Sequence, residues 1–308
     1  MRIVFMGTPD FAVPSLELLI ENGYTPVAVV TAPDKRRGRG QKLMPTPIKK
    51  TAEAHGIPVL QPASVKDPDF AEALRALDVD VMVVVAFRIL PPAVFEAARL
   101  GAFNLHGSIL PAFRGAAPIN RAVMAGVTET GVTTFFLKKK VDTGNIILKR
   151  TIPVGPDDTA GDVHDQLMMV GAEAVLETVR RIEAGTAEAQ PQDDALATPA
   201  PKLFKPDMEI DWSKPAQEVH NHVRGLSPYP GAWTTHAGEQ LKIFRTGLAV
   251  GTEGTGAPGT VLDADNRLLI ACGTGAVEVL EAQRAGKRRM PTTALLNGYT
   301  LTKGDRLG

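Results

Sequence analysis

The sequence predicts an α/β protein in two parts, an open and mainly parallel sheet followed by a small β-barrel. Strand-like and helix-like segments alternate through the first half of the chain. Residues 79–87 form a near-continuous β-branched run, which is typical of a strand that is covered on both faces. After residue 207, short alternating segments separated by turn residues dominate, a pattern typical of a barrel. A chain of 308 residues is long enough for two domains at roughly 150 residues each.

The strands and helices of the first half follow in a regular order. Strands are predicted at residues 2–6, 26–31, 57–60, 79–87 and 102–105, and helices at 13–20, 46–55 and 70–77. In the first helix, Val13, Leu16, Leu19 and Ile20 recur at helical spacing. This rhythm predicts parallel strands with helices on both faces of the sheet.

The second half begins with two strands, at 132–137 and 146–152, and a long helix at 159–183. Residues 186–206 are rich in proline, alanine, glutamine and aspartate, so they are predicted to be a linker. The predicted division is a sheet domain at 1–188, a linker at 189–206 and a barrel domain at 207–308.

Composition excludes several classes of protein. Thirty-four basic and 34 acidic residues cancel, so the whole chain is not a strongly basic nucleic-acid binder, although local patches remain. Cys272 is the single cysteine, which rules out an intramolecular disulfide, and the histidines are not spaced as metal ligands, so we expect no metal.

The longest apolar run, 81–87, is far shorter than the ~20 residues that span a bilayer. With no signal-peptide pattern at 1–7, we expect no membrane association and a cytoplasmic protein.

The segment 104–115 carries the most chemistry. Asn104 and His106 are two residues apart, so their side chains point the same way from an extended strand. An amide and an imidazole on one face can stabilise an oxyanion and move a proton. The alternative is a histidine with a purely structural hydrogen bond. Asp142, just before Gly144, either orients that histidine or only forms a turn.

Two other segments are strongly basic. Residues 32–50 contain seven basic residues and one acidic residue, and residues 284–306 contain six and one. Such segments bind a phosphate backbone or are simply solvated loops.

Several motifs taken together resemble a known family. His106-Gly-Ser-Ile-Leu-Pro with Gly115, preceded by Asn104 and followed by Asp142-Thr-Gly144, is similar to the signature of the folate-dependent formyltransferases. Gly7-Thr-Pro-Asp-Phe11, the 38–47 segment and the 224–233 segment resemble the branch of that family that formylates an aminoacyl-tRNA, along nearly the whole chain.

The resemblance implies a Rossmann-like catalytic domain, an OB-like barrel that helps hold tRNA, and a specific reaction. A formyl group moves from 10-formyltetrahydrofolate to the α-amino group of methionine on initiator tRNA, for translation initiation. The family's catalytic trio maps onto Asn104, His106 and Asp142. In this trio, a protonated His106 is expected to donate a hydrogen bond to the oxyanion of the tetrahedral intermediate. The Asp142 carboxylate would favour that protonated form. The folate is assigned to Phe87, Arg88, Ile89, Leu90, Ser108, Leu110 and Pro111. Ser108 fixing its loop, and Leu110 and Pro111 shaping the turn, are the alternatives.

The resemblance also assigns the basic segments to tRNA. The expected contacts are Arg36, Arg37, Arg39, Lys42, Lys287, Arg288 and Arg289, with Arg39 the first choice. At the end of the long buried strand the family has Ala-Tyr-Gly-x-Ile-Leu-Pro. This chain has Ala86-Phe-Arg-Ile-Leu-Pro91, which is one residue shorter and lacks the glycine.

We expect a monomer. Two other interpretations stay open. One is a sugar-nucleotide N-formyltransferase, and the other is a nucleic-acid-binding protein whose sheet domain has no activity. The basic 36–42 loop argues against the first, and the presence of all three trio residues argues against the second.

Overall fold

A computed structural model describes residues 1–37, 41–249 and 256–308. The chain forms two compact units. The first unit consists of Met1–Gly115, Thr130–Ile152 and His164–Pro199. The second unit consists of Ala116–Glu129, Pro153–Val163 and Ala200–Gly308. The predicted boundaries at 188 and 206 stay a prediction about functional domains.

The first unit is built on a seven-stranded sheet that is mainly parallel. In chain order its strands are β1 (Ile3–Gly7), β2 (Ala28–Val30), β5 (Val59–Leu60), β6 (Val81–Val85), β7 (Ala102–His106), β8 (Glu129–Phe136) and β9 (Ile146–Pro153). The spatial order is β5-β2-β1-β6-β7-β8-β9. The first five strands in that order pair in parallel, and β8 runs antiparallel to β7. A separate antiparallel hairpin joins β3 (Lys35–Arg37) to β4 (Lys42–Met44).

Helices cover this sheet. They are α1 (Val13–Glu21), α2 (Pro47–Ala54), α3 (Pro68–Ala76), α4 (Pro92–Phe95) and α6 (Ala160–Glu183), with a short 3-10 helix at Asp10–Ala12 before α1. Two of these helices, α2 and α3, each begin with a proline in the first turn and a capping side chain just before it. The Thr46 hydroxyl accepts a bond from the Lys49 N–H, and the Asp67 carboxylate accepts one from the Asp69 N–H. All five residues of β1 and all five of β6 are buried, as expected for strands covered on both faces.

The second unit contains an antiparallel sheet. Its strands are β10 (Ala232–His236), β11 (Glu239–Leu248), β12 (Val261–Asp263), β13 (Leu268–Ala271), β14 (Ala276–Arg284) and β15 (Met290–Pro291). Their order is β10-β11-β14-β13-β12, with β15 paired to β14. The helices are α5 (Pro118–Met124), α7 (Ala216–Gly225) and α8 (Thr292–Leu296).

Apolar side chains of α7 and the antiparallel sheet form one core, which includes Trp212, Val223 and Ile243. Cys272 lies in this core, and burial raises the pKa of its thiol to about 11, so the thiol is unreactive at neutral pH. The prediction of a mainly parallel α/β sheet followed by a small antiparallel β unit is therefore confirmed.

Candidate active site

Asn104 and His106 lie on β7, in the middle of the first sheet. Asn104 is opposite Val84 on one neighbouring strand and Phe135 on the other. Because β7 pairs with β6 on one side and with β8 on the other, its backbone is fixed along both edges. The two side chains therefore leave the same face of a rigid strand, as the two-residue spacing predicts.

His106 is buried, with 6% of its surface exposed. Its Nε2 lies 2.9 Å from the Phe113 carbonyl oxygen, and since a carbonyl can only accept, Nε2 carries the hydrogen and Nδ1 keeps a lone pair in the neutral ring. Burial lowers the pKa of His106, and the negative charge of nearby Asp142 opposes that shift only in part. The resting imidazole is therefore neutral. In this structure desolvation outweighs the carboxylate, and the protonated His106 that is expected to face the oxyanion stays a prediction.

The loop after β7 is held by hydrogen bonds to its own backbone and to β8. The Ser108 hydroxyl donates to the Ala112 carbonyl at 2.6 Å, and Ser108 is fully buried. The Thr133 hydroxyl donates to the Ser108 carbonyl at 2.7 Å and accepts from the Leu110 N–H at 3.0 Å. Leu110 is also fully buried. These contacts support the alternative that Ser108 and the Leu110-Pro111 turn shape the loop.

Asp142 occupies a turn whose conformation is tightly constrained. Its backbone φ of +55° is in the left-handed region, and its Oδ2 accepts from the Gly115 N–H at 3.0 Å. Gln192 donates to the carbonyls of Asp142 and Gly144, at 2.9 Å and 2.8 Å. A Cβ at Gly144 would lie 1.5 Å from the Phe136 carbonyl oxygen, so only glycine fits there.

A cavity of about 100 Å³ brings two of the three trio residues together with the predicted folate segment after β6. Asn104 and Asp142 line it with Phe87–Leu90, the segment after β6. In the described part of the chain, no hydrogen bond joins the Asn104 side-chain amide to another residue. No backbone hydrogen bond engages residues 87–90 within the same described ranges either. Free backbone and amide groups beside an aromatic ring suit a flat heterocycle that hydrogen-bonds through its edge.

Arg88 lies at the rim of this cavity and has a different role from its neighbours. Its guanidinium donates to the carbonyls of Pro62 and Ala63, at 2.9 Å and 3.1 Å, and lies 5.1 Å from the centre of the Phe87 ring. Burial lowers the pKa of Arg88. The side chain therefore ties the 87–90 segment to the 62–63 segment and orients the aromatic ring.

The first basic segment forms the β3–β4 hairpin. Lys42, Leu43 and Met44 are exposed, and Arg36 donates to the Gln41 carbonyl at 3.2 Å. At the base of the hairpin, Lys49 pairs with Asp34 at 2.7 Å, which removes one positive charge from the segment. Arg39 lies outside the described residues, and the side chain of Arg37 lies outside them too.

The second basic segment follows β14 and is only partly available. Lys287 and Arg288 are exposed. Arg289 pairs with Glu281 and stacks over the Phe244 ring, with its guanidinium carbon 4.5 Å from the ring centre. Its charge is thus already used within the second unit.

Sequence reasoning missed two residues that hold the site. Thr133 and Gln192 lie 25 and 50 residues from the groups they bind, and Gln192 is in the predicted linker. No local signal marks a threonine in a strand or a glutamine in a proline-rich segment as a support for a distant turn.

The parts of the chain that the structure describes hold no group of three or more histidine, cysteine, aspartate or glutamate side chains placed to bind a metal. Within the same ranges, no helix is long and apolar enough to cross a bilayer.

Comparison with known proteins defines the class of this chain. Residues 1–179 match the formyl transferase family and residues 202–300 match the formyl transferase C-terminal domain family. The chain therefore belongs to the formyl transferases. Methionyl-tRNA formyltransferase from Chlorobium phaeovibrioides is 50% identical over 314 residues, covering 100% of this chain and 98% of that protein. The methionyl-tRNA formyltransferase from Moorella thermoacetica is 48% identical, covering 100% and 99%.

Solved structures show the same fold at lower identity. The N-formyltransferase from Helicobacter canadensis superposes with a TM-score of 0.70 at 22% identity, covering 92% of this chain and 99% of that one. A glycinamide ribonucleotide transformylase from Symbiobacterium toebii matches with a TM-score of 0.53 at 22% identity, covering 63% of this chain and 94% of that one.

Proposed function

We propose that this chain transfers the formyl group of 10-formyltetrahydrofolate to the α-amino group of methionine on initiator tRNA, and so serves translation initiation. The observation that carries the proposal is the shared cavity of Asn104 and Asp142, with the His106 imidazole close enough to feel the Asp142 charge. Relatives named methionyl-tRNA formyltransferase, about half identical over the full chain, support the choice of acceptor.

The folate belongs in the cavity beside Phe87–Leu90, where it supplies the formyl group. The unbonded backbone groups of that segment and the Phe87 ring match the edge and face of a pterin. Arg88 acts by fixing this segment rather than by reaching the ring. Ser108, Leu110 and Pro111 complete the cofactor side of the site by holding the loop after β7 in shape.

The acceptor is an amine, so the site needs a base and an oxyanion donor but no covalent nucleophile. His106 Nδ1 takes a proton from the α-ammonium group, which frees the nitrogen lone pair to attack the formyl carbon. The Asn104 amide donates to the oxyanion that forms, a contact typically worth about 3–4 kcal/mol. The Asp142 carboxylate stabilises the imidazolium. His106 then gives this proton to the leaving folate nitrogen as the bond from that nitrogen to the formyl carbon breaks. The attacking nitrogen releases a second proton to solvent as it becomes the formamide N–H, and His106 is again neutral.

The tRNA lies against the basic segments in this proposal. Phosphates are contacted by Arg36, Arg37, Arg39 and Lys42 of the 32–50 segment, and by Lys287 and Arg288 of the second unit. Arg289 contributes less than its sequence position suggests, because Glu281 already neutralises it. The antiparallel sheet is an OB-like barrel, a common nucleic-acid platform. We further propose functional domains at 1–188 and 207–308 joined by 189–206, a monomeric state and a cytoplasmic location.

The proposal is tested by offering the purified protein 10-formyltetrahydrofolate with charged initiator tRNA, and separately with an amino-sugar nucleotide. We expect formylation of the methionyl group and none of the sugar. Formylation of the sugar alone would contradict the proposal, because the acceptor would then be a different amine. Arg39→Ala is expected to raise the KM for tRNA in a salt-dependent way, because it removes a phosphate contact.

A further inference from the structure

A second and larger cavity lies wholly within the second unit. Its volume is about 540 Å³, and it is formed by α7, β11 and the 155–159 segment. One wall is Arg224, which opens the 224–233 motif that the active site does not use. The lining combines positive charge, a carboxylate and exposed leucines, so the composition of the cavity indicates what it binds.

Arg224 is 5% exposed and has an incomplete set of partners. Its Nε donates to Asn221 at 2.8 Å, and its Nη1 donates to the carbonyls of Asp158 and Gly155, at 2.9 Å and 3.2 Å. No hydrogen bond uses Nη2, and no carboxylate lies within 4.0 Å of the guanidinium, among the residues that the structure describes. Burial lowers the pKa of Arg224, and the negative charges of Asp158 and Asp157 oppose that shift only in part. Such a site favours an anion.

Arg245 adds a second, exposed guanidinium to the same cavity. It forms no ion pair with any described residue, and its charge helps to lower the pKa of Asp162. Two arginines line this cavity, and among the described residues neither forms an ion pair within 4.0 Å. Such a pair suits a phosphate, which arginine binds through two parallel N–H donors.

The remaining lining residues favour a ligand larger than a bare phosphate ion. Asp157 is exposed at the rim, with its Oδ1 3.6 Å from His220 Nε2, and a carboxylate there repels an anion but accepts bonds from hydroxyl groups. Leu248 and Leu280 are 45% and 44% exposed beside the cavity. Exposed leucines next to the charged groups offer apolar surface that the face of a base can cover.

We propose that this cavity binds one unpaired ribonucleotide at the 3′ end of the tRNA substrate. The phosphate lies on Arg224 and Arg245, a ribose hydroxyl donates to Asp157, and the base packs on Leu248 and Leu280. This inference rests on the proposed function, since it names where the single-stranded end of that acceptor is held. Unpaired nucleotides are the part of an RNA that side-chain pockets can read.

The test uses a short probe, the ribotrinucleotide CCA, which is the 3′-terminal sequence of tRNA. Its dissociation constant is measured by calorimetry for the full-length protein, Arg245→Gln and Arg267→Gln at several salt concentrations. Arg267 is a matched control, an exposed arginine of the same unit that pairs with Asp263 and does not line the cavity. We expect Arg245→Gln to weaken binding about fivefold. The slope of log K against log salt should fall by about 0.7. Arg267→Gln should change neither.

The deoxyribose trinucleotide and inorganic phosphate complete the design. We expect the ribose form to bind more tightly, and Asp157→Ala to remove that preference, because the carboxylate accepts the hydroxyl hydrogen bond. Equal binding by the two arginine variants, equal binding of ribose and deoxyribose probes, or full competition by phosphate at the same concentration would overturn the inference. Formylation of methionyl-tRNA by the parent protein and by Arg267→Gln tests the proposed function separately, because neither protein carries a change in this cavity.

Discussion

The turn at 142–144 and the β3–β4 hairpin both carry proposed functional groups, but they are fixed to very different degrees. Asp142 is held by the Gly115 N–H and by Gln192, and Gly144 has no room for a side chain. The hairpin has a short backbone ladder, and its residues Lys42–Met44 are exposed.

The difference follows from what each region must do. A carboxylate that stabilises an imidazolium has to stay within a few ångströms of it, since a small displacement in an active site costs much of the rate. A cation that contacts phosphates acts over about 8–10 Å in physiological salt, so its position needs to be fixed less closely. Substitutions at the turn should therefore affect chemistry, and substitutions in the hairpin should affect binding.

The largest effect is expected at His106, whose imidazolium form the Asp142 carboxylate of the turn is proposed to stabilise. His106→Ala removes the proposed base, and turnover should fall by about 10²–10⁴-fold with little change in tRNA affinity. Single-turnover formylation and a separate tRNA-binding assay measure the two quantities. A tRNA affinity that fell as steeply as turnover would show that the imidazole acts in binding, and the distinction between the two regions would fail.

Gly144→Ala tests how tightly the turn is packed. The new Cβ meets the Phe136 carbonyl oxygen, so the backbone must move, and the free energy of unfolding should drop by about 3 kcal/mol. Turnover should fall with it, because Asp142 moves as well. Gly298→Ala is the control, since a Cβ there meets no atom within 4 Å. Urea unfolding measures the free energy of unfolding of both variants. Equal values would mean that the turn accommodates a Cβ without loss of stability.

Burial of His106 also gives a pH dependence to stability. Because its pKa is lower in the folded state, the unfolded chain binds the proton first, and folding stability is lost as pH falls below about 6.5. The loss is at most about 1.4 kcal/mol for each pH unit. Urea unfolding between pH 7.5 and 5.5 should show a smaller acid loss in His106→Gln than in the parent protein. The same slope in both proteins would contradict the proposed neutral state.

The smallest effects are expected for single substitutions in the two basic segments, which should differ in their KM for tRNA. Lys42→Gln should raise the KM for tRNA a few-fold and lower its salt dependence, because an exposed cation is lost. Arg289→Gln should change that KM less, but it should lower stability by about 1 kcal/mol, since the side chain pairs with Glu281 and stacks on Phe244. Steady-state kinetics at two salt concentrations give the KM for tRNA of each variant, and a thermal melt gives the stability of each variant. A larger KM effect at Arg289 would reverse the ranking.

Much of the fold could be predicted from local patterns. The β-branched run at 79–87 predicted the buried strand β6 because a strand covered on both faces needs apolar residues at every position. The two-residue spacing of Asn104 and His106 predicted a shared face because side chains alternate along a strand. The regions that local patterns described less well are those fixed by distant partners, such as the turn that Gln192 holds.

The sequence by itself determined the order of strands and helices, the residues of the proposed trio and the position of the basic segments, because each depends on neighbours along the chain. Only the tertiary structure decided that burial lowers the pKa of His106, that Arg289 is already paired, and that Arg224 lines a cavity and has an unused donor. These properties depend on burial and on the balance between desolvation and nearby charge. Both are set by residues that are far apart in the chain and meet only when it folds.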